Sequence, residues 1–228
     1  MEGTLSVVAT PIGNLGDITL RALETLRQAD AIACEDTRVT AKLLSRYDIQ
    51  KPLLIFHARS GKLAADRILA QLGEGKRIVL VTDAGTPGIS DPGNELVAMA
   101  RARLGSSVRI EAIPGPSALT AALSIAGVPA ATFVFLGFLP HKKGRQTLFK
   151  EIAKEERATV FYESPHRIEK TLASLKEVLS SDRSITVLRE LTKLHESVVS
   201  GTAEEVQGYF SKRSREIRGE FVVIVHPC

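Results

Sequence analysis

Apolar residues fall along this chain in short unbroken runs that alternate with stretches of helical spacing. Residues 4–10 (Thr-Leu-Ser-Val-Val-Ala-Thr) form the first run and read as a strand, broken by Pro11-Ile12-Gly13-Asn14-Leu15-Gly16-Asp17. Leu20, Leu23 and Leu26 then recur at helical spacing. Strands follow at 29–34, 53–56, 77–82 and 108–113, each succeeded by a helical pattern: one holding Leu43 and Leu44, then 64–72, 95–104 and 118–126. Strand runs that are apolar throughout are those of a parallel sheet covered on both faces. Five β–α units in succession therefore predict a mostly parallel sheet with helices on both sides. Gly127-Val128-Pro129 marks a change of composition. Beyond it, strands are expected at 133–138, 158–162, 185–188 and 221–225, with helices at 148–156 and from Ser164 to about Leu179. Thr202 and Glu205 form a capping box for a short helix. The expected architecture is two α/β lobes, 1–116 with a mostly parallel sheet and 117–228 with a mixed one, and a ligand held between them.

Local chemistry adds to the pattern. Asp36 is placed to cap the helix after the second strand, Asp91-Pro92 to supply N-cap and N1 of the fourth helix, and Ser164-Pro165 to repeat that arrangement. The stretch Val81-Thr82-Asp83-Ala84-Gly85-Thr86-Pro87-Gly88-Ile89-Ser90-Asp91-Pro92-Gly93 is far longer than a strand–helix turn requires. Its glycines let a ligand approach the backbone closely, and Asp83 stands where the strand ends.

Composition narrows the classes. The 228 residues are 44% hydrophobic and 25% charged, as in a soluble globular protein, with a formal net charge of +4 that permits a nucleic-acid partner without requiring one. Two cysteines, Cys34 in an apolar run and Cys228 at the end, imply no disulfide framework; with no leader-like segment or membrane-length run, a cytoplasmic protein is expected. The five histidines are scattered without metal-ligand spacing, so no metal site is expected. Neither a Gly-x-Ser-x-Gly elbow, a Gly-x-Gly-x-x-Gly fingerprint nor a Walker Gly-Lys-Ser/Thr is present. The ligand should thus be held by backbone groups and shape rather than by a phosphate cradle. Polar residues gather instead at strand ends: Glu35, Asp36 and Arg38; Asp83; Glu163 and Arg167; Arg189, Glu190 and Lys193. Basic runs at 142–145 and 212–215 read as solvated faces or as phosphate contacts.

Six blocks in order then carry a resemblance. They are Val8-Ala9-Thr10-Pro11-Ile12-Gly13-Asn14-Leu15-Gly16-Asp17, Glu35-Asp36-Thr37-Arg38, Asp83-Ala84-Gly85-Thr86-Pro87, Pro114-Gly115-Pro116-Ser117-Ala118, Phe161-Tyr162-Glu163-Ser164 with His166-Arg167, and Arg189-Glu190-Leu191-Thr192-Lys193. Together they resemble the bacterial ribosomal RNA small-subunit methyltransferase I group of the tetrapyrrole-methylase-like superfamily, over nearly the whole chain. The resemblance implies the two-lobed class III methyltransferase fold, a homodimer, S-adenosylmethionine as cofactor, and 2′-O-methylation of a cytidine in the decoding region of small-subunit rRNA, free or in the 30S subunit. By motif match it sets the cofactor against Pro11, Asp83, Gly85, Ile89, Ser117, Ala118, Tyr162 and Leu191. Members usually carry a histidine- and asparagine-rich stretch where this chain has His57-Ala58-Arg59-Ser60, and many continue past the last strand, where this one ends at His226-Pro227-Cys228.

A ribose hydroxyl attacks only as its proton leaves, so a base or cation should stand nearby. Glu35, Asp36 and Lys193 are the candidates, with Arg38 as a phosphate or carboxylate anchor. Competing readings are a tetrapyrrole methylase, which needs a wide apolar cleft rather than basic rims, a non-catalytic RNA-binding assembly factor, and, less well supported, a nicotinamide oxidoreductase.

Overall fold

The computed structural model describes residues 2–57, 60–213 and 217–228. Ala58 and Arg59 of the stretch after the third strand, and Ser214 and Arg215 of the second basic run, lie outside the described residues. The chain divides into two units, Met1–Ser117 and Ala118–Cys228.

In the first unit, β1 (Gly3–Val8), β2 (Ala31–Cys34), β3 (Leu53–Ile55), β4 (Arg77–Leu80) and β5 (Val108–Ile113) form one sheet in the order β3-β2-β4-β1-β5, with every pairing parallel. The central strands β2 and β4 are buried on both faces, and their alternate residues serve two cores. Ala31, Ala33, Ile78 and Leu80 pack under α3 (Gly61–Gly73) and α4 (Gly93–Leu104). Ile32, Cys34, Val79 and Val81 pack under α1 (Leu20–Gln28) and face Leu44 of α2 (Thr37–Arg46). Cys34 is a fully buried core residue whose thiol pKa is pushed up by that burial. Asp36 caps α2 as expected, its Oδ1 accepting the Arg38 N–H at 2.8 Å.

The second unit has a mixed sheet ordered β6-β7-β10-β8-β9, from β6 (Phe133–Phe138), β7 (Ala158–Glu163), β10 (Phe221–Val225), β8 (Ser184–Arg189) and β9 (Ser197–Thr202). Only β6 and β7 run parallel; the remaining pairs are antiparallel. Phe149 of α6 (Arg145–Lys154), Leu172 of α7 (Ile168–Val178) and Phe210 of α8 (Ala203–Ser211) close one face over Phe161, Phe221 and Val223. The expected capping box at Thr202 and Glu205 is formed. Ala118–Ile125 is α5. No helix among the described residues is long and apolar enough to cross a membrane.

Three local expectations need correction. Strand β9 was not foreseen, because its Ser-Val-Val-Ser-Gly-Thr sequence lacks an apolar run; it is a half-exposed edge strand. The fourth helix begins at Gly93 rather than at Pro92, although Asp91 Oδ1 still accepts the Gly93 N–H at 2.8 Å, as an N-cap carboxylate does. The seventh helix begins at Ile168, not at Pro165: Ser164 makes no side-chain cap there, and its carbonyl accepts from Arg167 and Ile168 in a preceding turn.

One buried residue ties the end of α6 to the segment after β10. Arg183, 6% exposed, donates to the carbonyls of Ala153 (2.8 Å), Glu155 (2.7 Å) and His226 (2.9 Å). Each acceptor left without a donor costs about 1–3 kcal/mol. We expect Arg183→Met to destabilise the protein by about 3 kcal/mol, read as a lower urea midpoint with unchanged slope.

Candidate functional site

The first unit's sheet has one place where the connections from adjacent strands diverge. From β2 the chain turns outward through α2 to β3; from its neighbour β4 it crosses through α4 to β5, past β1. Right-handed crossovers then put α2 and α4 on opposite faces, which opens a crevice at the carboxyl ends of β2 and β4. The residues at those ends are Glu35 and Asp36 on one side and Thr82 and Asp83 on the other.

Hydrogen bonds fix them together. The Thr82 hydroxyl donates to Glu35 Oε1, and the Asp36 backbone N–H donates to Asp83 Oδ1 at 3.2 Å. Thr10, at the end of β1, donates its hydroxyl to the Thr82 carbonyl at 3.2 Å. Its backbone exchanges two hydrogen bonds with Gly85, at 2.9 and 3.0 Å, and so pins the long loop to the sheet. Gly85 holds φ +83°, where a side chain is strained, and a Cβ there would also touch Ile12. Thr86 anchors the same loop to the Pro116 carbonyl at 3.1 Å, and Ile89 projects from it into solvent. Between these ends and α2 lies a cavity of about 230 Å³, with Pro11 and Leu43 as apolar walls and Thr10, Thr40, Thr82 and Asp83 as polar ones. Ligand pockets usually measure about 300–1,000 Å³, so this one fits part of a ligand.

The charges here differ in proton affinity. Desolvation raises the Glu35 carboxyl above its ordinary pKa, against the opposing hydrogen bond from Thr82. Asp83 is likewise raised by desolvation. Asp36 is the reverse: hydrogen bonds from the Arg38 side chain and backbone lower it to about 2, and Arg38 lies 2.6 Å from it in an exposed pair. Of the carboxylates at this edge, Glu35 and Asp83 hold protons more readily and Asp36 hardly does. The sequence flagged these four residues, but not Thr82, which ends an apolar run.

In the second unit Lys193 lies 2.8 Å from Glu190 and 3.1 Å from Glu220. Burial works against its charge, but those two carboxylates prevail and hold the ammonium pKa above the ordinary value. Lys193 is a fixed cation. Leu191, buried, sits between Glu190 (φ 52°) and Thr192 (φ 66°), two left-handed non-glycine residues in one turn, and such strain gathers at functional sites. The Tyr162 ring stacks edge-on with Phe135 and Phe138 at 5.1 and 5.4 Å, and burial raises its phenol pKa despite a backbone hydrogen bond at Leu119. Ser117 ends the first unit, and Ala118 opens α5. Glu163 and Arg189, both strand-end residues opposite Phe221, are buried anchors rather than cleft residues. Arg189 donates to the carbonyls of Arg218 at 2.9 Å and His195 at 3.4 Å.

A parallel sheet with this strand order followed by a mixed sheet is the fold of a methylase class: the family model for tetrapyrrole (corrin/porphyrin) methylases matches residues 4–207. The solved methyltransferase CobJ has the same fold, with a TM-score of 0.71 and 21% identity over 99% of this chain and 95% of its own. Two curated relatives are more similar in sequence, both named ribosomal RNA small subunit methyltransferase I. The Thermotoga maritima protein is 45% identical over 98% of each chain, and that of Xylella fastidiosa (strain Temecula1) 46% identical over 98% of this chain and 81% of its own. The chain belongs to the ribosomal RNA small subunit methyltransferase I family. It is a methyltransferase with S-adenosylmethionine as methyl donor. The residues fit that donor, whose ammonium and ribose hydroxyls need acceptors: Asp83 is exposed, and its Oδ2 has no partner among the described residues.

Because the folded Glu35 pKa exceeds the unfolded one, its charge opposes folding at neutral pH; that opposition fades as pH falls through the folded pKa and is gone below the unfolded value of about 4.3. Glu35→Gln should therefore be at least as stable as the parent at pH 7, with any advantage gone at pH 3, in thermal melts at the two pH values. Gly85→Ala should lose about 1–2 kcal/mol of stability and weaken S-adenosylmethionine binding in calorimetry.

Proposed function

We propose that this methyltransferase modifies the 2′-hydroxyl of a cytidine ribose in the decoding region of small-subunit ribosomal RNA, working in the cytoplasm as a homodimer. The relatives' shared name supports ribosomal RNA as the substrate. The observation that carries the reaction type is Glu35, a carboxylate of raised pKa that accepts from Thr82, a residue that with Asp83 lines the neighbouring pocket.

When bound, S-adenosylmethionine supplies a methyl group on a sulfonium, already electrophilic. The chain's task is then to orient the accepting oxygen and remove its proton. Orientation alone can supply about 7–11 kcal/mol of the barrier. Glu35 takes the hydroxyl proton. Asp36 keeps the base in place by capping α2 and bonding Asp83 through its backbone, and Arg38, exposed beside it, meets a phosphate. Lys193 acts as a cation, since its two carboxylate partners keep it protonated. Pro11, Asp83, Gly85, Ile89, Ser117, Ala118, Tyr162 and Leu191 are proposed to hold the cofactor.

The test is methyl transfer from labelled S-adenosylmethionine to purified 30S subunits. A 2′-O-methyl group blocks alkaline cleavage of the adjacent phosphodiester, so the label should survive in an alkali-resistant dinucleotide beginning with cytidine. Label on a base, or no label in RNA, overturns the proposal. In single-turnover reactions Glu35→Gln should be slower by about 10²–10⁴-fold. If Glu35→Gln, Asp36→Asn and Lys193→Met all react at near the parent rate, the enzyme works by positioning alone.

A further inference from the structure

We propose that the exposed segment His141-Lys142-Lys143 is a phosphate-contact surface for the RNA substrate, and that a buried Arg145–Glu163–Arg167 clamp fixes its position. This rests on the RNA reading above and adds to it a binding element that no motif match supplied.

The geometry is unusual for a surface loop. Glu163 ends β7 with its side chain fully buried, and two guanidiniums reach it: Arg145 Nη2 at 3.2 Å from Oε2, and Arg167 Nε at 2.7 Å from Oε1. The Arg167 approach is an ion contact whose angle makes no hydrogen bond, so Nε lacks a hydrogen-bond partner. Each arginine then bonds the start of the basic loop, Arg167 the Leu139 carbonyl at 2.8 Å and Arg145 the Pro140 carbonyl at 3.0 Å. Thr171 closes the cluster, donating to Glu163 Oε2 at 2.7 Å. Two successive carbonyls at the root of one loop are thus tied to a single carboxylate.

The loop beyond that root is exposed and basic. Lys76 meets Glu74 at 3.1 Å and Lys176 meets Glu204 at 2.8 Å, so those two lysines would have to give up a carboxylate to meet a phosphate. Among the described residues, Lys142 and Lys143 have no ion-pair partner. The clamp adds to their field, because two guanidiniums on one carboxylate leave a surplus positive charge beneath them. Cations without internal partners, on a loop whose root is held rigid, suit phosphates: no carboxylate must be displaced, and little loop freedom remains to be lost on binding.

The experiment measures binding of a small-subunit RNA fragment and of 30S subunits across a KCl series, with S-adenosylmethionine affinity measured in parallel. The double variant Lys142→Ala/Lys143→Ala should flatten the plot of log K against log salt by about one per lysine, leaving S-adenosylmethionine affinity and kcat at saturating RNA unchanged. Arg145→Lys keeps the charge but cannot reach Pro140, Thr171 and Glu163 together, and Glu163→Gln cannot hold two guanidiniums. Both should flatten the slope with the lysines in place, and either combined with the double variant should add little. Should Glu163→Gln fail to fold, Arg145→Lys carries this arm. Parent-like slopes in the lysine variant, or in both clamp variants, overturn the proposal. Loss of 30S binding with free-RNA binding intact also overturns it, by assigning the lysines to a ribosomal protein. If the parent chain binds no RNA, the functional reading falls as well; if it binds and the slope does not move, this inference alone falls.

Discussion

The structure of the first unit depends on β2 and β4 lying side by side while their connections leave for opposite faces of the sheet. That placement follows from the handedness of the crossovers rather than from any side chain. Once it is set, the two strand ends border a cavity under α2, and the polar groups there find partners in each other. Thr82 finds Glu35, Asp83 finds the Asp36 amide, and Thr10 secures the glycine-bearing loop. The crevice, its acidity and the raised pKa of Glu35 and Asp83 descend from one topological fact.

The two units handle charge differently. In the first, Glu35 and Asp83 are partly desolvated and bonded by neutral donors, which leaves their proton affinity high. In the second, charges are matched with opposite charges. Glu163 takes two arginines, and Lys193 takes two glutamates. Groups of the first kind suit proton transfer, and those of the second keep a fixed sign and place.

Much of this was legible in the chain. Runs such as Ile78-Val79-Leu80-Val81 are apolar throughout because both faces of a central parallel strand are covered, so the first sheet could be read directly. Asp36 was legible as a cap and Cys34 as core. What escaped obeys other rules. Strand β9 has only two apolar residues because it lies at a sheet edge and pairs through its backbone. The left-handed turn at Glu190 and Thr192 uses residues that do not advertise positive φ. Arg145 and Glu163 are separated by a helix and a strand, a spacing no local pattern encodes. Neighbours along the chain were readable, whereas pairings made by folding back were not.

The place of β1 in its sheet has a consequence for synthesis. It leaves the ribosome before the other strands of its sheet, yet both its partners come late, with Thr4 opposite Arg77 and Gly3 opposite Val108. At about 5–20 residues per second, roughly 5–20 s pass before the second flank exists. Over that interval Leu5, Val7 and Val8 lack the two strands they pair beside, and β1 is a segment of the nascent chain prone to stick. The β8–β9 hairpin, whose Arg189 and Ser197 are paired neighbours, closes almost as soon as it is made.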